Sequence, residues 1–220
     1  MALMILILPL IAAAFGFFGR SVMTETAIIW VSTVLMALTT GLAWVAWRTG
    51  VEPVILLSPW IESATLSSEL ALEAAGLGPL IVALLASLAT LSQLLLLDMP
   101  LTKSKKRVPN EDRARLSVLI SLFFAASTLF ALSAGVIQSV GALTLIAWIA
   151  AQLPGLDYRN QGTGRSMQRV FVPLFLGVMA LLIAAAGLFE LRDAVRFEVV
   201  FAGDTRTVLV AIAVAVFGWP

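Results

Sequence analysis

The chain has 220 residues, 60% of them hydrophobic and 12% charged, with a net charge of +1. Soluble domains lie near 45–50% apolar and about 25% charged, so a soluble globular fold is excluded, while the small net charge says little about partners. Neither Cys nor His occurs; this excludes disulfides and thiolate metal or iron–sulfur sites and removes the commonest ligand of zinc and haem, so no cofactor and no metal is expected.

Apolar runs set against bilayer thickness predict the elements in chain order. Span 1 covers 2–18. It reads as a retained span rather than a signal peptide, because the basic n-region is missing and Arg20 follows the apolar run instead of preceding it. Span 2 covers 27–47 and leads into the longest connection, 48–78, which contains Pro59-Trp60 and then Leu66-Ser-Ser-Glu-Leu-Ala-Leu-Glu73. This segment reads as an interfacial element with Trp60 at headgroup depth. Two roles stay open for it, an anchored linker and a docking surface for a partner.

Span 3 covers 79–97. The loop after it holds Lys103, Lys105, Lys106 and Arg107, a cluster that suits anionic lipid headgroups at about 1 kcal/mol per charge. Topology already accounts for that cluster, so nucleic-acid binding is not expected. The region 116–153 then runs 38 residues without a charge. As one helix it would reach about 57 Å against a hydrocarbon core of about 30 Å. It must fold back as spans 116–133 and 136–153, with the reversal at Ser133-Ala134-Gly135, where Gly permits an unusual backbone. The sequence Gly162-Thr-Gly164 lacks a following Lys-Ser/Thr and is no phosphate loop.

Span 6 covers 170–190, and its Ala184-Ala185-Ala186-Gly187 reads as a close-packing face. A last hydrophobic run, 207–220, has 14 residues and reaches only about 21 Å as helix. It reads as a re-entrant half-helix, a tilted span in a thinned bilayer, or half of an interrupted helix, and Gly218-Trp219-Pro220 favours the interruption. The fold class is therefore an all-α, polytopic membrane bundle over 1–220, with six spans and a short seventh hydrophobic helix. Ten of the 14 basic residues fall in the loops after spans 1, 3 and 5. The positive-inside rule makes that side cytoplasmic and the N-terminus external.

No ionisable residue stands at mid-depth in spans 1 to 6. The polar residues there are neutral: Gln93 with Thr90 and Ser92 in span 3, Ser121, Ser127, Thr128 and Ser133 in span 4, and Gln138, Ser139 and Thr144 in span 5. They suit contacts between helices or a hydrated pathway, but cannot exchange a proton near neutral pH. Glu190 and Asp157 stand at span ends, as boundary markers or as guards of a pathway mouth. No catalytic residue, cofactor site or metal site is expected.

The string Ile5-Leu-Ile-Leu-Pro-Leu-Ile-Ala-Ala-Ala-Phe-Gly-Phe-Phe-Gly-Arg20 resembles the start of the antiporter-like subunits of respiratory complex I, the large L-type subunit above all. The order of later features is similar: Pro59-Trp60 in an external segment, Leu70-Ala-Leu-Glu-Ala-Ala-Gly-Leu-Gly-Pro-Leu80 opening span 3, Arg115-Leu116 opening span 4, Leu145-Ile-Ala-Trp148 in span 5, and Arg165-Ser-Met-Gln-Arg-Val-Phe171 opening span 6. The resemblance covers essentially the whole chain as the N-terminal half of such a subunit. The family includes subunits of cation antiporters, membrane-bound hydrogenases and inorganic-carbon uptake complexes.

Two departures stand out. In that family a Trp-Glu pair on span 5 supplies a pathway carboxylate, whereas Trp148 is followed here by Ile149. The family's lysine on an interrupted seventh helix is also missing by Pro220. The resemblance implies a non-catalytic subunit of an ion-translocating or bioenergetic complex in a bacterial inner membrane. Such a complex is a proton-translocating oxidoreductase or an uptake system. Its partners would be other membrane subunits, including a chain that supplies the missing half, with Trp60, Phe217 and Trp219 in the contact. The alternative is an autonomous carrier or channel for a small solute that uses Gln93, Gln138 and the hydroxyls of spans 3 to 5.

Overall fold

The computed structural model describes residues 2–19, 22–49, 54–62, 67–73, 78–98, 110–133, 135–153 and 163–192. The seventh hydrophobic run, the basic cluster at 103–107 and Asp157 lie outside them. Helices α1 (Ala2–Phe18), α2 (Glu25–Thr49), α3 (Gly78–Asp98), α4 (Asn110–Ala131), α5 (Val136–Gln152) and α6 (Thr163–Arg192) make up nearly all of the described chain. Among the described residues, α2, α3, α4 and α6 are long and apolar enough to cross a membrane. α1 and α5 are apolar but have 17 residues each, about 25 Å of helix, which is the lower limit for a span. The protein is a multi-pass membrane helix bundle with one small β element.

Two helices begin well before their uncharged runs. α4 starts at Asn110 rather than 116, and α6 at Thr163 rather than 170. Loss of charge marks where the hydrocarbon begins, not where the helix does. Asn110, Glu111 and Asp112 are favourable at the positive end of a helix dipole, so α4 takes them in as its first turn.

The β element occupies part of the connection read above as interfacial. β1 (Val54–Glu62) and β2 (Ser67–Glu73) pair antiparallel with Ile55 opposite Leu72 and Pro59 opposite Glu69. The register shifts between Leu56 and Ser58 and again between Pro59 and Ile61, which puts Trp60 at the second irregularity. Both strands are edges, so Pro59 removes no ladder bond that a third strand would need.

Helices α1 to α4 form a four-membered ring in which each packs on the next and α1 closes against α4, with α2 and α4 also touching across it. α5 packs on α4, and α6 on α5. Six of the buried residues of α2, Ile29, Ser32, Met36, Thr39, Ala43 and Ala46, alternate at steps of three and four, the seam of near-parallel helix packing. α3 repeats the spacing with Val82, Ala86, Ala89, Gln93 and Leu96. Small residues on these seams let the backbones approach, while bulky side chains such as Leu38, Leu84, Leu88 and Leu95 face outward. That inversion of the soluble pattern is the one expected where lipid is the solvent, since burying Leu gives no hydrophobic gain there. Pro9 lies within α1 and is fully buried; proline within a span is tolerated where neighbouring helices surround it.

Leu72 of β2 is fully buried and reaches into a cluster of Ile5, Met36, Ala43, Ala46, Val82, Ala83, Ala86, Phe124 and Leu132. Its backbone also bridges Ser133, at the turn between α4 and α5. The hairpin is thereby fixed to the bundle end formed by the start of α1 and the end of α4.

The α4–α5 reversal does not use a left-handed glycine. Gly135 has φ −126° and ψ 148°, an extended conformation open to any residue. Serines hold the turn instead: the Ser133 and Ser139 hydroxyls lie in contact with each other, with the Phe130 carbonyl 2.8 Å from Ser133 Oγ and the Gly135 carbonyl 3.1 Å from Ser139 Oγ, so one hydroxyl donates to the other, which donates to its carbonyl.

Candidate functional site

The polar groups inside the bundle form a neutral seam between helices. α4 places Ser117, Ser121, Phe124 and Thr128 on one buried stripe, at steps of four, three and four. Gln93 of α3 is fully buried against that stripe. Its Nε2 donates to the Ser117 carbonyl at 3.0 Å and to the Ser121 hydroxyl at 3.3 Å, and its Oε1 accepts from the Ser117 hydroxyl at 2.8 Å. The Ser121 hydroxyl in turn donates to the Ser117 carbonyl at 3.0 Å. Both amide protons and the amide oxygen of Gln93 are engaged, so the carboxamide ties α3 to α4 and presents no free donor to a passing solute.

A second pair of bonds ties α2 to α3. Thr40 and Thr90 hydroxyls meet at 2.8 Å, and the Trp44 indole N–H donates to the Ser87 hydroxyl at 3.2 Å. Thr40 pairs with the later residue and Trp44 with the earlier one, so the two helices are antiparallel. Most other hydroxyls are satisfied inside their own helix: Thr33, Thr39, Ser92 and Thr144 donate to the carbonyl four residues back at 2.7 to 2.9 Å, the local bond open to these residue types. At the far end of α3, Arg113 of α4 donates to the Leu96 carbonyl, placing a cation at the negative end of the α3 dipole.

Two hydroxyls are different. Ser32 Oγ and Thr128 Oγ1 are buried and have no hydrogen-bond partner among the described residues. Ser127, Gln138 and Ser139 are also buried, around the α4–α5 reversal. Gln93 stands out in the sequence, whereas its partner Ser117, and Thr40 and Ser32, do not. Ser117 adjoins the charged start of α4, and only knowledge of which helices pack together singles it out. Of the remaining candidates, Glu190 lies in α6 and Trp60 in β1, with side chains outside the described set. Phe217, Trp219, Lys103, Lys105, Lys106 and Arg107 also lie outside it.

Ile149, where the resemblance implies a carboxylate after the tryptophan, is buried against Leu119 and Ala126 at the α4–α5 contact. Trp148 points outward, about half exposed. The position for which the resemblance implies a carboxylate is thus an apolar contact in this bundle. The buried polar residues of the described bundle are Ser, Thr and Gln.

We expect Gln93→Met to lower stability in detergent by about 1 kcal/mol. It keeps the volume and loses the bonds, and interhelical hydrogen bonds in membranes contribute on average about 0.6 kcal/mol each. Thermal unfolding of the purified chain reads this directly. A loss well above 3 kcal/mol would give the carboxamide a larger role than tying α3 to α4.

No family model matches the sequence, and no curated protein matches it. Among solved structures, the chain is similar to a chain of the membrane-bound sulfane sulfur reductase, an archaeal respiratory membrane complex, with a TM-score of 0.70 and 14% identity. The match covers 99% of this chain and 43% of that one, so the protein spans less than half the length of its neighbour. The bundle of α1 to α6 is therefore a fold found in a respiratory membrane complex.

Proposed function

We propose that the protein is a non-catalytic membrane subunit of a larger ion-translocating or bioenergetic complex, an antiporter-like subunit that supports or completes the pathway of a partner chain. The observation that carries this reading is the neutral seam itself: on a fold shared with a respiratory complex, the buried polar positions of the described bundle hold Ser, Thr and Gln, with Gln93 bonded across to α4 and Ile149 at a packing contact. A pathway for protons needs groups that gain and lose them, and these residues do not do so near neutral pH. The acid and base come from neighbouring membrane subunits. The setting that fits is a bacterial inner membrane.

The test is flux in liposomes that contain this chain alone. Proton and cation leakage equal to that of protein-free vesicles is expected. Saturable uptake of any small solute would overturn the reading in favour of an autonomous carrier.

A further inference from the structure

One face of α6 is exposed between Arg165 and Ile183. Arg165, Arg169, Val172, Leu176 and Ile183 are all exposed, and at 3.6 residues per turn they fall within about 60° of one another around the axis. Val178, on the opposite side, is fully buried, consistent with the packing of this helix on α5. Only 11% of the apolar window of α6 is buried, against 50% for α4.

Arg165 and Arg169 are four residues apart on the helix, about 6 Å along its axis. The next acidic residue on the helix is Glu190, about 31 Å away. The basic end belongs to the side that carries ten of the 14 basic residues, where the inner leaflet presents anionic headgroups. One leaflet contributes about 15 Å of hydrocarbon, some ten residues of helix. An acyl chain descending from Arg169 would therefore run beside Val172 and Leu176. Helices that dock on one another in lipid present small residues. The exposed residues here are bulky, and a lipid tail suits them better than a second helix.

We propose that the inner end of this face is a binding site for an anionic diacyl phospholipid, its phosphate held by Arg165 and Arg169 and its tails lying along Val172 and Leu176. Guanidinium groups match phosphate oxygens in geometry and charge. This site is separate from the neutral seam and does not depend on what the complex transports.

Native mass spectrometry of the purified full chain, with phosphatidylglycerol or phosphatidylcholine of identical tails added, tests it. The wild-type chain should retain phosphatidylglycerol in preference. Combining R165Q with R169Q should weaken that retention by about thirtyfold, while R48Q, at an exposed position on the other side, should leave it unchanged. Excess glycerophosphoglycerol, the headgroup without tails, should not displace the lipid. Equal retention by the double variant, equal retention of phosphatidylcholine by the wild type, or displacement by the free headgroup or inorganic phosphate would overturn the proposal. So would co-purification of a protein that the double variant releases in place of lipid.

Discussion

Leu72→Ala is expected to lower the stability of the bundle by about 2–5 kcal/mol, the range for truncating a buried leucine whose surroundings cannot collapse. Leu72 is fully buried and belongs to one buried cluster with side chains contributed by α1, α2, α3 and α4. Those neighbours belong to helices fixed by their own seams, so little movement can refill the space. The residue also carries the backbone bridge to Ser133, and losing its side chain should release the hairpin as well as open a cavity. Two readouts follow: a lower midpoint of thermal unfolding in detergent, and faster proteolysis within 54–73. Leu72→Met, nearly equal in volume, should cost less than about 1.5 kcal/mol. Equal effects from the two substitutions would mean that the hairpin is held by its backbone alone.

Gly16→Ala is expected to cost about 1–3 kcal/mol, and the cause is steric. A Cβ at Gly16 would collide with Val118 Cγ2 of α4 while lying 3.6 Å from Ile28 Cγ2 of α2. Ala12 and Gly16, both buried on α1, form a small-xxx-small pair of the kind that lets helices approach closely in lipid. Val118 branches at Cβ and has little rotamer freedom in a helix, so the helices themselves must separate. Val118→Ala in the same chain removes the colliding methyl group and should restore most of the loss. A double-mutant cycle measured by thermal unfolding should give a favourable coupling above about 1 kcal/mol. Additive losses would show that the cost of Gly16→Ala lies elsewhere than this contact.

The helical architecture was legible because lipid imposes one rule on every span: apolar length must match bilayer thickness. The uncharged region 116–153 could only fold back on itself, and the turn falls between Ala131 and Val136. The starts of α4 and α6 were not legible by that rule, since their first turns lie among polar residues. The hairpin was hidden for a different reason. Val54–Glu62 has no clean alternation and contains Pro59, so its sequence does not read as strand. What holds Leu72 in place is a tertiary contact with helices distant in sequence.

The neutral seam was partly legible. Gln93 stood out as a carboxamide among leucines, but its hydrogen bonds with Ser117 and Ser121 depend on α3 and α4 being neighbours. Ser133 and Ser139 were visible as polar residues at a reversal, whereas the extended backbone of Gly135 between them was not. The exposed stripe on α6 needed burial of Val178 to reveal which side faces outward.

Gentle extraction from the native membrane, followed by native mass spectrometry of the intact particle, shows whether this chain works as part of an assembly. Recovery with at least one other integral membrane polypeptide in fixed stoichiometry is expected. Recovery as a monodisperse, partner-free 23.4 kDa chain carrying only lipid would contradict it.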